Sequence, residues 1–310
     1  MTSLNLFPSS PICCKGADLP ANDRYSACMR EAEPVNELTV QLLLETNTLA
    51  IRDIRCSGNC RHRSPSECAT TTHLVFPYRG AFLRHVGQAE AVAEANQLVF
   101  FNDDEEYTIS HPVGGGDACL SVAIDQRLLH ELAPADQLDT RPGVVFRQPA
   151  RGIDPGAQAL AAMLRHGLSR GALETLEAET MALTLIGRSL GERTSYARAT
   201  TYGRRKLADR TKLLLAGDPG RRWTLGAIAA EVGVSPVYLT QVFAQAEGVP
   251  LYRYQLRLRL ARALDLLGSY EDLTMLALDL GFSSHSHFTA AFRQHYGRTP
   301  AEFQRATHLR

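Results

Sequence analysis

Three cysteines and one histidine lie within thirteen residues of a polar stretch of the chain: Cys56, Cys60, His62 and Cys68. A set of four sulfur and imidazole ligands suits a tetrahedral zinc ion or another thiophilic metal. Because arginines flank the thiols, a redox sensor built on reactive thiolates is a second interpretation. The spacing differs from a paired Cys-x-x-Cys site and cysteines in loops are commonly unreactive, so an unreactive role stays open as a third.

The cysteine count points to a reducing compartment. All seven cysteines lie at or before Cys119, and their number is odd. The N-terminus has no basic start followed by a continuous apolar core, so a secretory signal is not expected. These observations predict reduced cytoplasmic thiols rather than a disulfide framework. No stretch approaches about 18 consecutive apolar residues, so no transmembrane helix is predicted.

The cysteine stretch lies among short β-type segments. We expect residues 1–34 to be an irregular arm, 35–150 a β domain of the sandwich or small-barrel kind, and 151–192 a helical connector or dimerisation segment. His73, His85 and His111 lie on or beside predicted strands, where shared metal ligation competes with the more usual hydrogen-bonded structural role. Strands are predicted at 73–80, 81–87, 97–101, 107–110, 119–124 and 143–146.

Charge is distributed unevenly along the chain, although 33 basic and 33 acidic residues balance overall. From residue 200 onward there are 15 Lys and Arg against 9 Asp and Glu, a net charge of +6, so the first 199 residues carry −6. A basic module on an acidic body favours a polyanionic partner, nucleic acid in particular. Between the two, residues 193–206 are polar and weakly patterned, as expected of a linker.

The basic region contains an internal repeat. In each copy a short apolar helix is predicted to end at a glycine, Gly233 or Gly281, because glycine adopts the left-handed conformation that terminates helices. A serine then caps a second helix: Ser235 in the first copy, and Ser283 or Ser284 in the second. Two helices joined in this way form a helix-turn-helix, whose second helix enters the major groove of DNA.

The repeats lie at 225–246 and 273–296 within a predicted DNA-binding domain at 207–306. Residues 250–268 between them read as one helix, about 28 Å long at ~1.5 Å per residue. A spacer of that length could hold two recognition helices near one duplex turn, roughly 34 Å, apart. Thr299-Pro-Ala-Glu302 forms a capping box that opens a final helix.

The second copy and its C-terminal extension carry a family signature. The stretch Gly281-Phe-Ser-Ser-His-Ser-His-Phe-Thr-Ala-Ala-Phe-Arg-Gln-His-Tyr-Gly-Arg-Thr-Pro-Ala-Glu-Phe303 resembles that of the AraC/XylS family of bacterial transcription regulators. The resemblance spans about 207–305, with both copies in register. It implies sequence-specific DNA binding and control of transcription, commonly activation through contacts with RNA polymerase.

The order of β-rich domain, helix pair and linker resembles regulators with a cupin-like sensor and dimerisation domain. The resemblance implies a multidomain α+β fold, an N-terminal β-barrel or jelly-roll, a homodimer, and a small-molecule effector whose identity and site it leaves open. The β domain lacks the His-x-His pair of metal-binding cupins, so a cupin enzyme is unsupported and no enzymatic activity is expected. We expect a cytoplasmic protein that associates with the nucleoid when bound to DNA.

Residues left facing outward by the second helix of each copy are the predicted DNA contacts. Gln241 could read adenine by two hydrogen bonds, and Val237 or Thr240 could pack on a thymine methyl group. His285 could donate to a base edge, whereas Arg293 is expected to contact phosphate. The second copy has alanine at position 290, where the family often has arginine, so we expect it to read bases weakly. The full set is Pro236, Val237, Thr240, Gln241 and Gln245, with His285, Ser286, Thr289, Ala290 and Arg293.

Two other functions compete with an effector-responsive regulator. A DNA alkylation-repair sensor joins a cysteine-ligated zinc to a similar DNA-binding module, but it needs a second closely spaced cysteine pair. Only Cys56 and Cys60 approximate such a pair. An architectural DNA-binding protein without an effector is the other alternative, and it would show no ligand-dependent shift in melting temperature or operator affinity.

Overall fold

The computed structural model describes residues 38–57, 62–139, 143–191 and 201–308. Antiparallel strands fill the first part of the chain, and helices fill the last. The strands are β1 Leu38–Glu45, β2 Leu49–Cys56, β3 Glu67–Cys68, β4 His73–Arg79, β5 Ala81–Val86, β6 Ala89–Glu94, β7 Gln97–Phe101, β8 Glu106–Ser110, β9 Asp117–Ile124 and β10 Ala150–Gly152.

The strands form two sheets. The six-stranded sheet has the order β1-β2-β9-β4-β7-β10, and the four-stranded sheet has the order β3-β8-β5-β6. One face of the larger sheet packs its aliphatic and aromatic side chains against helices, with Phe76 and Phe100 almost fully buried. A second cluster, including Phe82 and Phe101, draws on strands of both sheets. Apolar side chains on both faces of the larger sheet are therefore buried, against helices on one face and with strands of the smaller sheet on the other.

Most of the predicted strands are confirmed, and the exceptions have physical reasons. The prediction of a strand at 143–146 is wrong: only Phe146 forms an isolated bridge, with Leu138. Strand β6 was not predicted, because its Ala- and Glu-rich sequence has low β propensity. It forms because it pairs with β5 along its whole length.

The helices are α1 Gln126–Leu132, α2 Pro155–Ser169, α3 Thr175–Leu190, α4 Tyr202–Gly217, α5 Leu225–Val232, α6 Pro236–Glu247, α7 Leu251–Leu266, α8 Leu273–Asp279, α9 His285–Tyr296 and α10 Pro300–His308, with a short 3₁₀ helix at Ala135–Gln137. Helix α2 packs against α3 and also against α7, α9 and α10. The expected connector segment thus lies between the β domain and the C-terminal helices. Among the described residues, no single helix is long and apolar enough to cross a membrane, and α5 with α6 meets that test only as a pair bent by 84°.

Two expected boundaries differ in the structure. Helix α4 begins at Tyr202, inside the segment expected to be a linker, so helix starts before residue 207; residues 192–200 lie outside the described part of the chain. Helix α7 ends at Leu266 rather than near Gly268. Its 16 residues span about 24 Å, which is shorter than the sequence-based estimate.

Two buried polar contacts join the C-terminal helices to the β domain. Near β6, the Tyr254 hydroxyl donates to the Glu94 carboxylate, which also accepts from the Asn96 backbone N–H at 2.9 Å. Near β4, Asp265 accepts from Arg165 at 3.0 Å and from Arg79 at 3.1 Å. Buried polar contacts therefore join both ends of α7 to the β domain.

Candidate nucleic-acid interface

The first helix pair, α5 and α6, is built as the repeat predicts. Helix α5 ends at Gly233 in the left-handed conformation, with φ of +73°. The Ser235 hydroxyl accepts from the Tyr238 backbone N–H at 3.3 Å and caps α6. Leu239 and Phe243 are fully buried on the inner face of α6. Within the described part of the chain, the opposite, outer face of α6 is exposed.

The second helix pair, α8 and α9, repeats this construction. Helix α8 is followed by Gly281, whose φ is +78°. Of the two candidate caps, Ser284 is the one used: its hydroxyl accepts from the His287 backbone N–H at 3.1 Å. Phe288 and Phe292 are fully buried beneath α9. The same pattern of glycine, capping serine and two buried side chains therefore recurs in both pairs.

The predicted capping box is confirmed and starts α10 beneath α9. The Thr299 backbone N–H donates to the Glu302 carboxylate at 2.7 Å. In return, the Glu302 backbone N–H donates to the Thr299 hydroxyl at 3.2 Å. Phe303 is then buried at an edge-to-face angle to Phe292, with ring centroids 6.0 Å apart. Helix α10 thereby supports the inner face of α9.

The predicted DNA-contacting residues of the first pair lie on the outer face of α6, and they differ in exposure and in hydrogen bonding. Val237 is 67% exposed, and Gln241 is exposed. The Thr240 hydroxyl donates to the Val237 carbonyl at 2.8 Å, so the Thr240 methyl group is the part available for a thymine contact. Gln245 is exposed but accepts from Arg204 of α4 at 3.1 Å, which ties α4 to α6. Pro236 is also exposed, at the first turn.

The outer face of α9 borders an open depression. The Thr289 hydroxyl lies 3.4 Å from the His285 Nε2, and Arg293 is exposed one turn further along. Burial, together with the nearby Arg257 charge, lowers the pKa of His295 to about 4, so this histidine is neutral at pH 7. Arg293 contributes a fixed positive charge to this face. The depression is lined by His285, Ser286, Thr289, Ala290, Arg293, Gln294 and Thr299.

One exposed aromatic side chain was missed by the sequence reasoning. Tyr238 follows Val237 on α6 and is 44% exposed. The apolar pattern that identified Leu239 and Phe243 as inner residues leaves Tyr238 at the border of the two faces, and an aromatic residue there is usually assigned to the core. Its hydroxyl-bearing ring adds a hydrogen-bonding group to the first turn of α6.

Among the described residues, one member of the predicted cysteine set, Cys56, lies in a group of side chains that could hold a metal ion. The Cys56 thiol groups with His111 and Asp117, their ligand atoms lying within 4.8 Å of one another. Among the described residues, His62 and Cys68 join no such group, and Cys60 lies outside the described residues. Cys68 pairs with Glu106 at the start of β8, whereas His111 follows the other end of that strand and lies near Cys56.

The three histidines of the β domain have separate environments. His73 stacks on Phe101, and burial lowers its pKa to about 4. His85 Nε2 is 2.7 Å from the Ser110 hydroxyl. His111 instead lies beside Asp117. His73 Nδ1 also lies 3.0 Å from the Thr71 carbonyl oxygen, so His73 and His85 have the hydrogen bonds expected of structural histidines. The three histidines do not form a shared site.

The C-terminal helices are similar to those of known helix-turn-helix proteins. Residues 228–306 match the model of a helix-turn-helix domain. The transcriptional activator CfaD of Escherichia coli is 32% identical over 98 residues, which are 31% of this chain and 36% of that protein. The probable transcription factor PqrA of Proteus vulgaris is 35% identical over 82 residues, 26% of this chain and 66% of that protein. The C-terminal region of this chain is a helix-turn-helix domain of the AraC type.

The matched segments cover part of this chain and part of each relative. The match to CfaD spans about a third of the length of either protein. Among solved structures, ToxT of Vibrio cholerae aligns over 86% of this chain and 100% of its own, with 11% identity and a TM-score of 0.33. The comparisons therefore concern the DNA-binding region, and the roles of the β domain rest on its own residues.

Proposed function

We propose that the protein is a sequence-specific DNA-binding regulator of transcription that inserts α6 and α9 into successive major grooves. The observation that carries this proposal is the pair of exposed helix faces in an AraC-type domain, each backed by fully buried side chains. Helix α7, about 24 Å long, lies between the pairs. Its length is compatible with recognition helices about one duplex turn, roughly 34 Å, apart.

Each outer face is proposed to have its own recognition chemistry. On α6, Gln241 contacts adenine, and a methyl group of Val237 or Thr240 contacts thymine. On α9, His285 donates to a base edge, and Arg293 neutralises a phosphate. Pro236, Gln245, Ser286, Thr289 and Ala290 complete the proposed interface, with Gln245 acting mainly through its bond to Arg204.

The β domain is proposed to be a cupin-like sensor that controls the DNA-binding domain. Direct contacts support this division of roles, because α4 packs against β5 and β6, while α7 packs against β4. A ligand that binds one arrangement of these contacts better than another would shift the DNA-binding state. The proposed domain limits are those expected from the sequence, except that the DNA-binding unit starts with α4.

A second copy of the chain and RNA polymerase are the proposed protein partners, in the cytoplasm. Three apolar side chains on edge strand β1 offer a surface for a homodimer: Leu38, Val40 and Leu42 are 50–62% exposed. Val40→Lys should therefore lower the mass measured by light scattering if this edge joins the copies. No enzymatic step is proposed, since the supporting features concern binding.

The direct test is genome-wide selection of DNA fragments bound by the full chain. We expect a recurring motif of two boxes about one helical turn apart, with affinity at least about 10³-fold above non-specific DNA at matched salt. Diffuse binding that disappears at moderate salt would contradict the proposal, because it would indicate phosphate contacts alone. Of the other functions, the alkylation-repair sensor is not favoured, since the described residues bring one cysteine, not four, to the metal-type group.

A further inference from the structure

We propose that Cys56, His111 and Asp117 bind one thiophilic divalent cation, with Zn²⁺ as the expected ion. The Cys56 Sγ, a ring nitrogen of His111 and a carboxylate oxygen of Asp117 all lie within 4.8 Å of one another. Around a tetrahedral zinc with bonds of about 2.0–2.3 Å, ligand atoms lie roughly 3.3–3.8 Å apart. The His111 Nε2 and the Asp117 Oδ1 are 3.3 Å apart, which is within that range.

The antiparallel register brings these side chains together from three positions in the fold. Cys56 is the last residue of β2 and is the cross-strand partner of Asp117, the first residue of β9. Directly opposed residues have side chains on the same face, with Cβ atoms about 4.5–5.5 Å apart. His111 directly follows β8, which belongs to the smaller sheet. A bound ion would consequently link the two sheets.

Two glycines fix the loop that carries His111 and Asp117. Gly116 has φ of +73°, and a Cβ there would lie 2.6 Å from the Cys56 carbonyl oxygen. Gly80 has φ of +63°, and a Cβ there would lie 2.0 Å from the Gly116 carbonyl oxygen. Only glycine satisfies both the conformation and the close approach. The backbone therefore presses the 111–116 loop against Cys56 and holds the ligands close together.

Burial and charge suit an exchangeable ion. His111 and Asp117 are 6% and 7% exposed, whereas Cys56 is half-buried, so solvent reaches one side of the group. Three protein ligands with one open position leave room for a water or an exogenous fourth ligand. On binding, the Cys56 thiol releases its proton to solvent, and the thiolate with the Asp117 carboxylate balances the two positive charges of the ion.

The site is connected to the DNA-binding region by its own loop. Val113, between His111 and Asp117, packs with the hydrophobic cluster of α4 to α7. A Cβ placed on Gly217, at the end of α4, would lie 3.3 Å from the Val113 side chain. An ion that fixes this loop would thus fix the position of α4. This regulatory part of the proposal rests on the proposed function, whereas the ion site itself does not.

The first test is a titration of metal-free, reduced full-length protein with Zn²⁺ and, as a probe of thiolate ligation, Co²⁺. We expect one equivalent of Zn²⁺ per chain and a thiolate-to-cobalt absorption band. Cys56→Ser and Asp117→Asn should each lower the affinity at least about 10-fold, since even residues outside the ligand set have effects of that size. Cys68→Ser is the matched control, and it should leave affinity and absorption unchanged.

Three results would overturn the ion site: less than about a tenth of an equivalent bound, wild-type affinity in Asp117→Asn, or an equal loss in Cys68→Ser. Asp117→Asn preserves side-chain shape, and melting curves of the metal-free variants establish that each is folded. The cobalt spectrum of the wild-type protein tests thiolate ligation without any substitution.

A second measurement separates the regulatory part from the site. On a selected DNA fragment, Zn²⁺ should change the affinity of the wild-type protein by at least about fivefold and leave that of Cys56→Ser unchanged. Stoichiometric ion binding with unchanged DNA affinity would overturn the regulatory part and retain the site. Absence of specific DNA binding with and without Zn²⁺ would contradict the proposed function and leave the ion result standing.

Discussion

The helix pairs α5–α6 and α8–α9 share their local construction and differ in what surrounds them. Each pair has a left-handed glycine, a capping serine and two fully buried side chains. The first pair packs on α4, which rests on β5 and β6, whereas α9 of the second pair contacts α2. The comparison shows that two similar turns can present two exposed helix faces on different supports: α4 and the smaller sheet lie behind α6, and helix α2 lies behind α9.

The largest expected effect concerns the contact at the C-terminal end of α7, toward the second pair. Asp265→Ala should lower the free energy of unfolding by about 3–5 kcal/mol, because Arg165, Arg79 and Arg262 lose their shared buried carboxylate. Denaturant unfolding of the full chain measures this change. Glu271→Ala, which removes an exposed carboxylate nearby, is the control and should change stability by less than about 0.5 kcal/mol. Equal losses of stability in both variants would show that the contacts of Asp265 with the three arginines contribute no more than an exposed carboxylate does.

Gly233 and Gly281, the turn glycines of the two pairs, should differ in how much stability is lost when each is replaced by alanine. Both have φ near +75°, so alanine at either costs about 1–2 kcal/mol in backbone strain. At Gly233 a Cβ meets nothing within 4 Å, but at Gly281 it would lie 2.2 Å from the Gly220 carbonyl oxygen. Gly281→Ala should therefore destabilise by a further 1–3 kcal/mol or so. Equal shifts in chemical denaturation for the two variants would show that the close approach at Gly281 is absent.

A pH-dependent contact is expected at the N-terminal end of α7, toward the first pair. Burial raises the pKa of Glu94 to about 7, against the opposing hydrogen bonds from Tyr254 and Asn96. The native state then holds a proton that the unfolded state has lost, so the free energy of unfolding should fall as the pH rises from about 4.5 to 7. The full contribution is about 3 kcal/mol, at ~1.4 kcal/mol per pH unit.

Glu94→Gln isolates this titration, because the amide keeps the side-chain shape without the ionisable proton. Unfolding curves of the variant should lose most of the fall in stability across this pH range, whereas the wild type should show it. If the stability of Glu94→Gln depended on pH as that of the wild type does, another group would be responsible. The contact at the N-terminal end of α7 would then not be the pH-dependent one.

The smallest expected effects distinguish the outer faces themselves. Gln241→Ala should weaken specific DNA binding by about 1–3 kcal/mol and leave non-specific binding nearly intact, because a base contact is lost. Arg293→Ala should instead weaken binding to all sequences and lower the slope of log affinity against log salt by about 1. Binding isotherms at several salt concentrations measure both. Equal losses on every sequence in Gln241→Ala would show that this side chain contacts phosphate or supports the helix.

Local features of the fold were predictable from the sequence because they depend on neighbouring residues. The turn glycine Gly233, the capping serine Ser235 and the reciprocal pair Thr299 and Glu302 each require only a few adjacent positions. The choice between two candidate caps in the second pair needed the backbone, which places Ser284 at the helix start.

Features that depend on distant segments were not predictable. Cys56 lies opposite Asp117 because of the register of β2 on β9. His111 reaches the same place because it follows β8 of the smaller sheet. The sequence suggested instead a set of cysteines close together along the chain, of which Cys56 and Cys68 lie on different sheets. Likewise, nothing in the apolar pattern of α2 indicated that Arg165 would reach Asp265, a hundred residues later.

We propose that α6 and α9 each read one of two boxes on the same face of DNA. Hydroxyl-radical footprinting of the full chain on a selected fragment tests this most directly, with Gln241→Ala and His285→Ala compared against the wild type. We expect two protected patches about 10 base pairs apart, with Gln241→Ala weakening only one and His285→Ala only the other. A single protected patch, or equal weakening of both patches by either variant, would contradict the claim.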